Sequence, residues 1–207
     1  MNLLSSFKKI FIMGIGGSGM SSIAKYLKQK GHDVEGYDQR ISYITNLLES
    51  DGVKTCQNLD NFKYQEDVLY VISSAINLED TFLENYTDSE NVISRPKFLE
   101  LLSEEVEILG ITGTHGKTST TALVSHIFHF NNKNASFIYG GVSGFGNLGG
   151  HFGEKTQPLI LETDEAFNTF KNINIKDLIV TNIDNCLLYT SDAADDTPCV
   201  DLGGRRI

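Results

Sequence analysis

Gly110-Ile111-Thr112-Gly113-Thr114-His115-Gly116-Lys117-Thr118-Ser119 follows a short apolar run at residues 106–109 and leads into a helix-like segment at 120–130. A strand that feeds a glycine loop and then a helix gathers backbone N–H groups and the positive end of a helix around one point. Such a point suits the phosphates of a nucleotide. Lys117 would reach the β- and γ-phosphates, and the Thr118 hydroxyl would ligate Mg²⁺. The usual loop has glycine five residues before its Gly-Lys pair, where this chain has Ile111, so the motif is a variant P-loop.

Outward from the loop, short apolar runs alternate with amphipathic stretches. Strands are predicted at residues 9–13, 32–37, 68–73 and 92–94, and helices at 20–30, 44–50, 79–85 and 96–103, the last with proline in its first turn. The alternation implies an α/β fold with a mostly parallel sheet covered on both faces. Glu104-Glu105 precedes the strand that feeds the P-loop, and a domain boundary is expected there. Further strands are predicted at 135–139, 159–162 and 178–181. Residues 140–153, rich in glycine, read as an exposed loop.

The chain has 207 residues, 40% of them apolar, and a formal charge of −10. That length allows one large domain or two small ones. Net negative charge argues against a nucleic-acid partner, which needs clustered Lys and Arg. No apolar run approaches the ~20 residues of a membrane span, so no membrane insertion is expected. Lys8 and Lys9 stand before a short apolar run and then glycine, too little for a secretory leader. The three cysteines, Cys56, Cys186 and Cys199, lack metal or redox spacing, which fits a reducing cytoplasm. Residues 186–207 have neither strand nor helix periodicity. They resemble the frame translation of a sequencing-library adaptor and are expected to be a non-native tail.

A second glycine motif, Gly14-Ile15-Gly16-Gly17-Ser18-Gly19, fits G-x-G-x-x-G between a strand and a helix, with Asp38 at the end of the next strand. Alone it would suggest a nicotinamide dinucleotide with Asp38 on a ribose hydroxyl. The fingerprint itself specifies only a diphosphate brought close to a helix N-terminus. With a P-loop downstream, a second nucleotide-like substrate is the preferred reading. Ser73-Ser74-Ala75-Ile76 ends a strand at the carboxyl edge, where α/β proteins bind ligands; a plain polar turn explains it equally well. Glu162-Thr163-Asp164-Glu165 ends another strand, and an acid there can hold Mg²⁺, with Glu162 the better placed. Thr181-Asn182-Ile183-Asp184 would face the same cleft. His126 and His129, without a third ligand, read as packed or surface residues, and His115 would touch a nucleotide through its backbone.

These motifs (Gly-Ile-Gly-Gly-Ser-Gly-Met, Ser-Ser-Ala-Ile, Gly-Thr-His-Gly-Lys-Thr, Glu-Thr-Asp-Glu and Thr-Asn-Ile-Asp) occur in the order seen in the Mur ligase family, and residues 7–185 resemble its alanine-adding branch. The resemblance implies a Rossmann-like domain at residues 1–104 holding UDP-N-acetylmuramate, with Gly14, Gly16, Gly17, Ser18 and Gly19 near the diphosphate and Ser73 and Ser74 near the nucleotide. It implies a truncated P-loop ATPase domain at 105–185, binding ATP through Gly113, Thr114, His115, Gly116, Lys117, Thr118 and Ser119. Thr118 and Glu162 would hold Mg²⁺, and Lys117 would be the catalytic lysine. The implied reaction activates the muramate carboxylate as an acyl phosphate and joins it to L-alanine. Gly140, Gly141 and Asn147 would lie near the sugar acid. The family continues after Thr-Asn-Ile-Asp with an Asp-His pair, where this chain has Cys186 and Leu187. The adenine and amino-acid sites are expected to be missing, leaving little or no ligase activity and an exposed apolar edge. The competing readings are a ligase that recycles a whole tripeptide, a nicotinamide-dependent oxidoreductase module built on the first glycine motif, and a non-catalytic nucleotide-binding protein.

Overall fold

The computed structural model describes residues 3–143, 147–163 and 172–183. In chain order the elements are α1 (Leu3–Ser6), β1 (Lys9–Met13), α2 (Ser18–Lys30), β2 (Asp33–Tyr37), α3 (Tyr43–Ser50), β3 (Lys54–Cys56), β4 (Val68–Ile72), β5 (Val92–Ser94), α4 (Arg95–Glu105), β6 (Ile108–Thr112), α5 (Lys117–Phe130), β7 (Ser136–Val142), β8 (Leu148–His151), β9 (Leu159–Glu162) and β10 (Ile175–Val180). They make two five-stranded sheets, ordered β3-β2-β1-β4-β5 and β10-β6-β9-β7-β8. Every pairing is parallel except β7 with β8. The first sheet starts at its centre and winds outward to both sides, as expected of a doubly wound α/β unit.

Register decides which side chains go where. Phe11 pairs with Tyr70 and Met13 with Ile72, so these alternate residues share one face and pack with Val68 and Leu83. The intervening Ile10, Ile12, Leu69 and Val71 face α2 and α4 on the other side. Local chemistry sets the helix ends. Ser42 and Thr45 form a reciprocal capping box at α3. The Ser94 hydroxyl accepts from the Lys97 amide at the start of α4, where Pro96 occupies the first turn. Gly31, at φ 101°, closes α2 in the left-handed conformation.

Helix α2 is buried along Met20–Leu27 without interruption because it lies between the two sheets. Its apolar side chains join those of Ile138, Leu148, Leu159 and Leu161 in one continuous core. The approach is closest at β8. A side chain on Gly150 would strike the Ser22 carbonyl, and one on Gly149 would strike the Tyr139 carbonyl. The Ser22 hydroxyl donates to the Tyr139 carbonyl at 2.6 Å across this contact.

Two expectations are corrected here. Residues 140–153 are not one exposed loop: Gly140 and Gly141 lie within β7, and Leu148, Gly149 and Gly150 are buried in β8. Their glycines permit backbone contact with α2 rather than exposure. Residues 79–85 do not form an α-helix. Single 3-10 turns at Leu78–Asp80 and Glu84–Tyr86 are separated by Thr81, which is extended at φ −130° and ψ 167°. The Thr81 hydroxyl accepts from the Leu83 amide, a local bond that competes with helix continuation.

Candidate nucleotide-binding site

Strand β6 ends at Thr112 and α5 begins at Lys117, so the P-loop is the four-residue link between them. Gly113 and Gly116 have φ values of 135° and 78°, conformations that favour glycine. Ile111, where the usual loop has glycine, is a wholly buried residue of β6 packed under α5. That burial accounts for the variant: the position serves the strand and the core. Lys117 Nζ folds back to donate to the carbonyls of Gly113 at 2.6 Å and Thr114 at 3.4 Å. Thr114 to Ser119, together with Glu162, line a cavity of about 260 Å³.

Both oxygens of Glu162 are held at the lip of this cavity. Oε1 accepts from the Thr118 hydroxyl at 2.9 Å, and Oε2 accepts from the Gly140 amide at 2.7 Å. One hydroxyl and one carboxylate side by side fit Mg²⁺, which keeps phosphate and water oxygens for its remaining positions. Thr181 and Asn182, just past β10, brace the loop from behind. Asn182 Oδ1 accepts from the His115 amide at 2.9 Å, and the Thr181 hydroxyl donates to the His115 carbonyl at 2.7 Å. The His115 backbone is thus engaged by Asn182 and Thr181 on the side of β10. Asp164, Glu165, Asp184, Cys186 and Leu187 lie outside the described residues.

The first glycine motif forms the turn between β1 and α2. The Gly14 and Ile15 amides donate to the Tyr37 carbonyl, and Gly16 donates to Asp38 Oδ2 at 2.9 Å. Asp38 therefore buttresses the turn, and its Oδ1 accepts from the Arg40 amide. No side chain caps the first turn of α2, so the amides beginning at Ser18 and Gly19 are the ones placed for an anion. Ser73 packs on this turn: its Cβ lies 2.9 Å from where a Gly14 side chain would begin. Ser74 is exposed at the same carboxyl edge.

The two glycine turns face each other across β7. Ser18 Oγ is 3.4 Å, and Glu162 Oε2 3.8 Å, from the point where a Gly140 side chain would begin. Thr118 Cγ2 is 3.5 Å from the corresponding point at Gly141. Two helix N-termini thus flank a pair of side-chain-free residues. Asn147 instead lines a second cavity, about 730 Å³, with Lys25, His126, His129 and His151. Burial, then Lys25 and His129, hold the His151 imidazole below its ordinary range. His126 and His129 are exposed on α5, in line with the surface reading. Burial pushes the Cys56 thiol up to about 11, which leaves it a poor nucleophile.

Sequence reasoning missed two contributors. Arg95, the first residue of α4, places its guanidinium against Gly19. Asn182 was placed at the cleft, but its bond to the loop backbone was not foreseen.

The family model described as "Mur ligase family, catalytic domain" matches residues 9–107, the first sheet and its helices. A UDP-N-acetylmuramate–L-alanine ligase of Hydrogenobaculum sp. is 36% identical over 86% of this chain and 40% of its own length. A ligase of the same name from Cytophaga hutchinsonii is 29% identical over 87% of this chain and 41% of its own. The crystal structure of the UDP-N-acetylmuramate–alanine ligase of Thermotoga maritima superposes with a TM-score of 0.75 at 27% identity, covering 90% of this chain and 44% of that one. The chain therefore spans about two fifths of the curated relatives it matches.

Proposed function

We propose that this chain, which belongs to the Mur ligase family, supplies the nucleotide-gripping part of an ATP-dependent ligase that joins L-alanine to UDP-N-acetylmuramate. Residues 1–104 hold the sugar nucleotide, and residues 105–185 hold ATP. The observation that carries the reading is the convergence of two anion cradles on Gly140 and Gly141. A reaction in which one ligand's carboxylate takes the γ-phosphoryl of another needs its two nucleotide sites to share a border. The relatives carrying the alanine-ligase name favour alanine as the acceptor. They give no support to the tripeptide-recycling or nicotinamide readings.

In this mechanism Gly14, Gly16, Gly17, Ser18 and Gly19 position the UDP diphosphate, and Ser73 and Ser74 flank the nucleotide. Gly113, Thr114, His115, Gly116 and Ser119 cradle the ATP phosphates. Lys117 moves from the loop carbonyls onto the β- and γ-phosphates. Thr118 and Glu162 would hold Mg²⁺, which supplies neutralising charge at those phosphates. The muramate carboxylate oxygen attacks the γ-phosphorus and ADP leaves, giving the acyl phosphate. The alanine amine then attacks the acyl carbon, phosphate leaves, and the amide forms. The chain's contribution is alignment and charge stabilisation, the two terms that dominate phosphoryl transfer.

Calorimetric titration of the 207-residue chain tests the assignment. UDP-N-acetylmuramate and ATP should each bind, and Lys117→Ala should abolish the ATP signal while sparing the sugar nucleotide. NADH binding with no response to UDP-N-acetylmuramate would overturn the reading.

A further inference from the structure

Arg95 is a partly buried cation placed beside two helix N-termini. It is the first residue of α4, and its guanidinium lies over Gly19, the second residue of α2. Cζ and Nη2 are 2.9 and 3.0 Å from the point where a Gly19 side chain would begin, so any larger residue there would displace the guanidinium. Both helices turn their positive ends to this cation, the reverse of the arrangement helix dipoles favour. Neither has an acidic residue in its first turn.

Ordinary partners are missing. Arg95 Nε is buried and has no hydrogen-bond partner among the described residues. None of the ion pairs among those residues includes Arg95. Asp38, the acid of the neighbouring glycine turn, accepts from the amides of Gly16 and Arg40 and makes no ion pair with Arg95 among the described residues. A guanidinium offers a planar fork that matches two phosphate oxygens at once.

We propose that Arg95 is a diphosphate-binding residue of the first cradle, closing over a nucleoside diphosphate seated on the amides that begin α2. The proposal rests on the reading of the first sheet as a nucleotide-sugar site, and it adds a residue that the glycine motif does not contain. Gly19 then has a reason to be glycine: its bare Cα leaves room for the arginine.

The test is titration of the 207-residue chain with UDP-N-acetylmuramate, UDP, uridine and inorganic pyrophosphate, in wild type, Arg95→Met and Arg95→Lys. Arg95→Met should weaken UDP and UDP-N-acetylmuramate roughly ten- to hundredfold and leave uridine unchanged. It should also flatten the salt dependence of UDP binding. Arg95→Lys keeps the charge without the fork and should fall between. ATP binding and the thermal melt report whether each variant is folded; if Arg95→Met is not, Arg95→Lys decides. Equal UDP affinity in wild type and a folded variant would overturn the role of Arg95 while leaving the nucleotide-sugar reading intact. An equal loss for uridine would also overturn it, by showing a structural role. Pyrophosphate bound as tightly as UDP would overturn the nucleoside assignment. No binding of UDP or UDP-N-acetylmuramate to wild type would remove the reading on which the proposal stands.

Discussion

Glu162 sits at the junction of the two cradles with one oxygen on the Thr118 hydroxyl and the other on the Gly140 amide. Glu162→Gln keeps the shape, removes the charge, and leaves one accepting oxygen for two donors, because its NH₂ group can only donate. Nucleotide affinity should then lose its dependence on Mg²⁺, a weakening of roughly tenfold in the presence of the ion. Affinity without the metal should change little. A nucleotide titration with and without Mg²⁺ decides this; an unchanged metal response would remove Glu162 as a metal holder. Single residues were legible in the sequence where their task is local. The left-handed turns at Gly113 and Gly116 and the helix start at Lys117 could be read from spacing, because they lie within a few residues of one another. Asn182 and Arg95 could not, since their partners come from other elements. Asn182 meets the His115 amide from 67 residues away, and no local pattern records that.

Among the elements, long strands and helices were readable because their burial repeats within a short window. Strand β4 is apolar and buried throughout, and α4 announces itself with a serine cap and a proline. Strand β8 gave no such signal: Leu-Gly-Gly-His resembles loop, and what makes it strand is the helix standing against it. The contact is backbone to backbone, so neither side can relax by rotating a side chain. Gly150→Ala should therefore force β8 and α2 apart, at a cost of about 2–3 kcal/mol and several degrees of melting temperature. Thermal unfolding followed by circular dichroism measures it. A variant that melts with wild type would show that β8 and α2 do not touch in solution.

At the scale of the whole molecule the two sheets are unequally finished. The first sheet packs a continuous set of side chains on each face. The second has α2 on one side and α5 on the other, yet the outer surface of α5 exposes Leu123 at 58%, Ile127 at 50% and Phe130 at 78%. The spacing of these three places them along one stripe of the helix. At the edge of the same sheet, β10 leaves Leu178 and Val180 nearly half exposed, and its outer side pairs with no strand among the described residues. An apolar stripe and an open strand edge both favour association with other chains. The expected apolar exposure of the second unit is thus present, and it has a physical consequence. The 207-residue chain should self-associate increasingly with concentration. A Leu123→Gln, Ile127→Gln, Phe130→Ser triple variant should stay monomeric to higher concentration in sedimentation velocity. Because the stripe leaves the Lys117 end of α5 untouched, the variant should bind ATP as wild type does. Wild type sedimenting as one monomeric species at every concentration would mean that charge repulsion in this acidic chain outweighs the stripe. Adding salt screens the repulsion and strengthens apolar contact, so association should rise with ionic strength.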